Sequence, residues 1–174
     1  MGGIMFLSEL MDERLIKCGI TAKDKKGVIE EMADMFVEAG VVTNKSDFCD
    51  SILKREEIES TAIGGGIAIP HGRSDAVKHL KVAFGRSQKG VNFEASDKKP
   101  VNIIFMIAAP SDARKEYLQA VAKIARLLKS RIMREALLLS ETPKDVMKII
   151  KDFDNMLVEE IKVVTKEGRV IHKD

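Results

Sequence analysis

Val101-Asn102-Ile103-Ile104-Phe105-Met106-Ile107-Ala108 is a nearly continuous apolar run of strand length, bounded by Pro100 and Pro110. A strand packed on one face alternates apolar with polar residues, whereas a strand covered on both faces reads as an unbroken apolar string. This stretch is therefore the expected centre of a sheet with helices on both sides. Downstream, Ser111-Asp112 can cap a helix from about 113 to 129, whose apolar face is Leu118, Val121, Ile124, Ala125 and Leu128. At ~1.5 Å per residue it would span about 25 Å, enough to cover a strand. Further helices read at about 131–139 and, with Pro143 in the N1 position, at about 143–153.

Upstream, Val28, Met32, Met35, Phe36 and Ala39 recur at helical spacings over residues 24–39, with Gly40 as the stop. A second amphipathic helix starts near Ser46, a candidate N-cap, and carries Phe48, Cys49, Ile52 and Leu53 up to Lys54 or Arg55. Arg55 therefore belongs near a helix C-terminus. Next come Ser60-Thr61-Ala62-Ile63-Gly64-Gly65-Gly66, a flexible stretch without helical period, and the short apolar strand Ile67-Ala68-Ile69-Pro70. Leu80–Arg86, with Val82 and Phe84 in alternation, adds another strand. The order predicts an α/β fold with a single mixed β-sheet of about five strands flanked by helices on both faces. Beyond Asn155, Glu160–Val164 is β-like, Lys166-Glu167-Gly168 reads as a turn and Arg169–Ile171 as a returning strand, so a C-terminal β-hairpin extension is expected. Residues 1–155 would form the domain, and 156–174 an extension without an assigned role.

A chain of 174 residues suits one domain with an ordinary core. A formal charge of +2 is too balanced to make a phosphate backbone the main partner, so no nucleic acid is expected. Charged residues at 32% and apolar ones at 45% exclude a disordered chain. Cys18 and Cys49 form neither a metal-like pair nor a disulfide framework, as befits the cytoplasm. Met1–Leu10 lacks the charge and apolar pattern of an export signal, and no stretch approaches the roughly 18 apolar residues of a membrane span. A cytoplasmic protein without direct membrane insertion is expected.

Three histidines are present, His71, His79 and His172. His71 follows an apolar strand and a proline, and precedes Gly72, which places it at the C-terminal edge of a sheet, where ligands gather in open α/β folds. Gly72 and the upstream glycines would let another backbone or a partner come close to the ring. Local context leaves two readings open, a functional imidazole and a turn histidine exposed by accident. His79 lies in a polar stretch without the i, i+4 spacing of common zinc sites, and His172 reads as a tail residue. The Gly64-Gly65-Gly66 triplet lacks both Gly-Lys-Ser/Thr and a Gly-x-Gly-x-x-Gly helix opening. No metal and no cofactor are expected.

Arg55-Glu56-Glu57, Ser60-Thr61-Ala62-Ile63-Gly64 and Gly66-Ile67-Ala68-Ile69-Pro70-His71-Gly72 together resemble the signature of the enzyme IIA domains of the fructose–mannitol class of the bacterial phosphoenolpyruvate:sugar phosphotransferase system, which includes the nitrogen-regulatory IIA proteins. The resemblance extends over roughly residues 5–153 and leaves the tail outside. It implies that His71 accepts a phosphoryl group from the phosphocarrier HPr and passes it to a IIB-type partner, through which a membrane IIC component would be reached. A neutral imidazole is a good nucleophile near pH 7, consistent with that role. Arg55 matches the family's arginine, whose planar guanidinium meets two phosphoryl oxygens at once; its alternative role is a helix C-terminal charge. Many family members carry a second histidine at the start of the long helix, where this chain has Tyr117. Tyrosine donates a hydrogen bond but stays uncharged at neutral pH. Arg73 and Arg114 are candidates to compensate, or else solvated surface charges. Gly64, Gly66, Ile69 and Gly72, with apolar side chains near His71, are the expected docking and phosphoryl-binding surface. Two functions follow: a stand-alone phosphocarrier in sugar uptake, or a regulatory module that reports phosphorylation state through protein contacts.

Overall fold

The structure, a computed structural model, describes residues 4–171, with side chains up to residue 166. In chain order the elements are α1 (Leu7–Leu10), a 3-10 turn (Glu13–Leu15), β1 (Ile16–Lys17), α2 (Lys25–Glu38), α3 (Lys45–Ile58), β2 (Ala62–Gly64), β3 (Ile67–Ala68), β4 (His71–Arg73), β5 (Lys81–Val91), β6 (Val101–Ala109), α4 (Arg114–Lys129), α5 (Arg131–Leu139) and α6 (Pro143–Ile171). The apolar run at 101–108 is the sheet centre. It pairs antiparallel with β5 from Lys81↔Ala108 to Arg86↔Ile103, and parallel with both β3 and β4 on its other side. The strand order is β1-β5-β6-β3-β2, giving one open mixed sheet.

Period-two alternation assigns the two faces of β6. Ile104, Met106 and Ala108 pack with α2 and α3, while Ile103, Phe105 and Ile107 pack with α4, α5 and α6. Sharing one edge of β6, β3 lies opposite Ile103 and Ile104, and β4 opposite Ile107, Ala108 and Ala109. The chain leaves the sheet between these stretches, so β3 ends at Ala68 rather than at Pro70 and the strand resumes at His71. The Ser60–Gly66 stretch is not loose: β2 and β3 form an antiparallel pair joined through Gly64, Gly65 and Gly66, all with positive φ. That backbone region is accessible to glycine without a steric penalty.

Helix starts differ in detail from the sequence expectation. Asn44, not Ser46, caps α3, accepting from the Asp47 N–H at 3.1 Å. Neither Ser111 nor Asp112 caps α4; the cap position is Ala113, and the Ser111 hydroxyl bonds the Asp75 carboxylate instead.

The C-terminal hairpin is absent: α6 runs unbroken from Pro143 to Ile171. Its start is fixed by a reciprocal cap. The Thr142 hydroxyl accepts from the Asp145 N–H at 3.2 Å, and the Asp145 carboxylate accepts from the Thr142 N–H at 3.1 Å. Val146, Ile150, Phe153 and Leu157 then bury one stripe against the sheet. Once a helix is nucleated and anchored, each β-branched residue costs only about 0.5 kcal/mol, too little to turn the chain at Ile161, Val163 and Val164. Replacing Val163 and Val164 together by alanine is expected to leave the far-UV helical signal equal or stronger; a loss of ellipticity would point to strands.

Candidate functional site

His71 opens β4 at the carboxyl end of β6, opposite Ile107. The ring is more enclosed than its sequence context suggested, at 8% exposure. Its Nδ1 lies 2.6 Å from the Ile69 carbonyl oxygen. A carbonyl oxygen only accepts, so Nδ1 carries the proton and Nε2 keeps the lone pair. Nε2 has no hydrogen-bond partner, and no buried polar side-chain atom among the described residues goes unpartnered. Nε2 is therefore the atom the ring presents to solvent.

Burial is the largest influence on the ring's basicity and lowers it below the ordinary value. The Ile69 carbonyl and the Glu56 carboxylate raise it, and the Arg55 guanidinium lowers it further. The imidazole is accordingly neutral at pH 7, the form in which nitrogen is nucleophilic.

Gly72 brings the arginine in. A Cβ there would lie 2.5 Å from the Ser51 hydroxyl oxygen and 3.1 Å from the Ile52 backbone nitrogen. Backbone does approach closely at Gly72, as its sequence context implied, and that backbone is α3. One turn further on, Arg55 reaches the His71 side of the helix end. Its guanidinium donates from Nη1 to the Glu59 carbonyl oxygen at 2.8 Å, so it also closes the last turn of α3. A guanidinium has five donors, which leaves the rest of the fork for another oxygen-rich group.

Tyr117, half-buried in the first turn of α4, faces His71 with ring centroids 5.2 Å apart. Burial pushes its hydroxyl above the ordinary range while Arg55 and Arg73 pull it back, so it stays a neutral donor. Arg73, exposed, lies over the Tyr117 ring at 5.9 Å and donates to the Ser111 carbonyl oxygen at 3.3 Å. His71, Arg55, Arg73 and Tyr117 thus form one cluster.

Gly64, Gly66 and the side chain of Ile69 do not join it. The Gly66 carbonyl oxygen accepts from Asn102 and Ile103, at the amino end of β6, roughly 16 Å along the strand from His71. The glycines serve the β2–β3 turn. The Ile69 side chain is 4% exposed in the core, and what reaches the ring is its carbonyl group. Leu118, beside Tyr117, belongs to the apolar face read for α4 but is 53% exposed, an apolar residue at the rim. His79 and Arg114 are exposed outside the cluster. His172 lies outside the described residues.

Two predictions follow from the packing. Gly72→Ala should destabilise the fold by about 1–3 kcal/mol in a urea melt, because α3 cannot retreat without breaking core contacts. The lowered His71 basicity means that the unfolded chain binds more protons on acidification, so stability should fall as pH drops through the unfolded value near 6.5. His71→Ala should flatten that part of the stability–pH curve; an unchanged curve would mean that the ring is not burdened by burial.

Among the described residues no helix is long and apolar enough to cross a membrane. The fructose-specific EIIABC component of Bacillus subtilis is 37% identical over 86% of this chain, which spans only 24% of that protein's length. The fructose-specific EIIA component of Haloferax volcanii is 38% identical over 74% of this chain and 83% of its own. The crystal structure of the nitrogen regulatory protein IIA-Ntr from Neisseria meningitidis superposes with a TM-score of 0.76 at 31% identity, covering 82% of this chain and 97% of that one. The IIA mannitol protein of Escherichia coli, solved in complex with phosphorylated IIB mannitol, shares the fold at 23% identity and a TM-score of 0.71, over 82% of this chain and 97% of that one. Residues 9–153 match the family described as "Phosphoenolpyruvate-dependent sugar phosphotransferase system, EIIA 2", and the chain belongs to that family.

Proposed function

We propose that this protein is a phosphocarrier whose His71 Nε2 accepts a phosphoryl group from an HPr-type phosphohistidine and delivers it to a IIB-type protein. The observation that carries this reading is the pairing of Nδ1–H with the Ile69 carbonyl, which leaves the Nε2 lone pair at the surface. In the step, the Nε2 lone pair forms the new N–P bond while the donor's N–P bond breaks, its electron pair returning to the donor nitrogen. Arg55 binds equatorial oxygens through the free part of its fork, and Arg73 and Tyr117 supply further positive potential and one hydroxyl donor. Most of the catalytic work in phosphoryl transfer is positioning and charge stabilisation, and this cluster offers both without a metal or cofactor. Leu118 and Ile58, both exposed, are suited to a small docking surface that releases its partner after each transfer.

A regulatory module is the second reading. It is favoured by Tyr117 in place of a second histidine and by the likeness to the Neisseria nitrogen-regulatory protein. Both readings place the protein in the cytoplasm and both require phosphorylation of His71; they differ in delivery. Incubation with phosphoenolpyruvate, enzyme I and HPr should give acid-labile label on the wild type and none on His71→Ala. Arg55→Lys should slow labelling about tenfold or more, since lysine loses the two-point contact. Passage of the label to a IIB protein supports the carrier reading, and retention supports the regulatory one. Undiminished labelling of His71→Ala would remove both.

A further inference from the structure

Glu56 is 6% exposed, lies next to Arg55 in α3, and takes no direct part in the cluster described above. Its carboxylate accepts from the Thr61 N–H at 3.1 Å and from the Thr61 hydroxyl, and pairs with Lys25 of α2 at 3.2 Å. The links continue toward the site. The Thr61 carbonyl oxygen accepts from the Ile69 N–H at 3.1 Å, and the Ile69 carbonyl oxygen accepts from His71 Nδ1 at 2.6 Å. A buried carboxylate is thus joined to the acceptor ring through two residues of intervening backbone.

We infer that Glu56 is a positioning residue for His71: through Thr61 and the Ile69 peptide it holds the ring in its Nδ1–H form, and its charge offsets the positive charge that the ring gains on phosphorylation. The second half of this inference rests on the phosphocarrier reading; the first does not. When Nε2 bonds phosphorus while Nδ1 keeps its proton, both ring nitrogens are substituted and the imidazole becomes cationic. A fixed negative charge nearby favours that product, as it favours a protonated ring. A glutamine could fill the same volume, but it would supply no charge and only one acceptor oxygen for the two Thr61 donors and Lys25.

The charges around the pair set the direction of the test. His71 is faced by Arg55 and Glu56 from α3 and by Tyr117 from α4, with Arg73 of β4 on the far side of Tyr117. Glu56 is faced by Lys25 of α2 and by Thr61, and Lys25 also pairs with Glu94 at 3.0 Å. Among the described residues acting on His71, Glu56 is the one that contributes negative charge.

The experiment is a titration of His71 by nitrogen-15 NMR in the intact protein, comparing wild type, Glu56→Gln, Glu56→Asp and Thr61→Val, followed by enzyme I and HPr labelling of the same samples. Wild type is expected to show the Nδ1–H tautomer. Glu56→Gln should lower the His71 pKa by about 0.5 unit or more and the equilibrium level of phosphohistidine by about threefold or more, with Glu56→Asp intermediate. Unchanged titration and tautomer in a folded Glu56→Gln protein would overturn the inference. Should Glu56→Gln not fold, Thr61→Val carries the test: it keeps the Lys25 pair, and a measurable Nε2–H population is expected. A wild-type tautomer and titration in that variant would also overturn it. A wild type that shows the NMR effects but takes no label would sink the phosphocarrier reading and leave the positioning role standing.

Discussion

At Gly72 the space between β4 and α3 holds a hydrogen atom and nothing larger, since a Cβ would meet Ser51 and the Ile52 backbone. This contact fixes how far the last turn of α3 stands from the sheet edge. Successive residues on a helix point about 100° apart, so one turn sends Arg55 toward the surface beside His71 and Glu56 into the interior beside Thr61. The Arg55 guanidinium near the surface and the Glu56 carboxylate in the interior are thereby set by the same packing distance.

The short strand that carries His71 has little stability of its own. Three residues of parallel pairing hold only because their partner is the most deeply buried strand of the molecule. Ile103, Phe105 and Ile107 on one face of β6, and Ile104 and Met106 on the other, each contribute about 1.5–3 kcal/mol by leaving water. The backbone of β6 is thus anchored from both sides, and the Pro70 carbonyl and the Ser74 N–H bond to it on either side of His71. The phosphoryl transfer proposed above would need a ring whose position does not relax between partners, and this anchoring would supply it.

The fold could be read from the apolar run at 101–108 and the flanking helical periods because burial on two faces and on one face leave different patterns. The place of His71 at the sheet edge could be read from its strand–proline–glycine context. Three features were hidden for specific reasons. The α6 continuation was obscured because Ile161, Val163 and Val164 favour strands locally, while the decision rests with Thr142 and Asp145 some twenty residues earlier. The distance between the glycine turn and His71 depends on register along β6, which no local pattern records. Glu56 was visible as part of a charged helix end, but the cation it pairs with in the interior is Lys25, thirty-one residues away. The one available signal was a carboxylate five residues before a threonine that itself leads a strand.

Tyr117 changes the electrical character of the site rather than removing its support. A second imidazole would add a positive charge that comes and goes across neutral pH. Here the groups acting on His71 are two guanidiniums, which stay charged, a phenol whose burial keeps it protonated, and the Glu56 carboxylate. His71 is then the group in the cluster that titrates near neutrality, and burial has moved its own titration toward acid. Burial thus favours the neutral ring, with its Nε2 lone pair free, at pH 7. If His71 is the phosphoryl acceptor proposed above, its support comes from guanidiniums and a phenol, so no second imidazole at position 117 would couple phosphoryl occupancy to pH near neutrality.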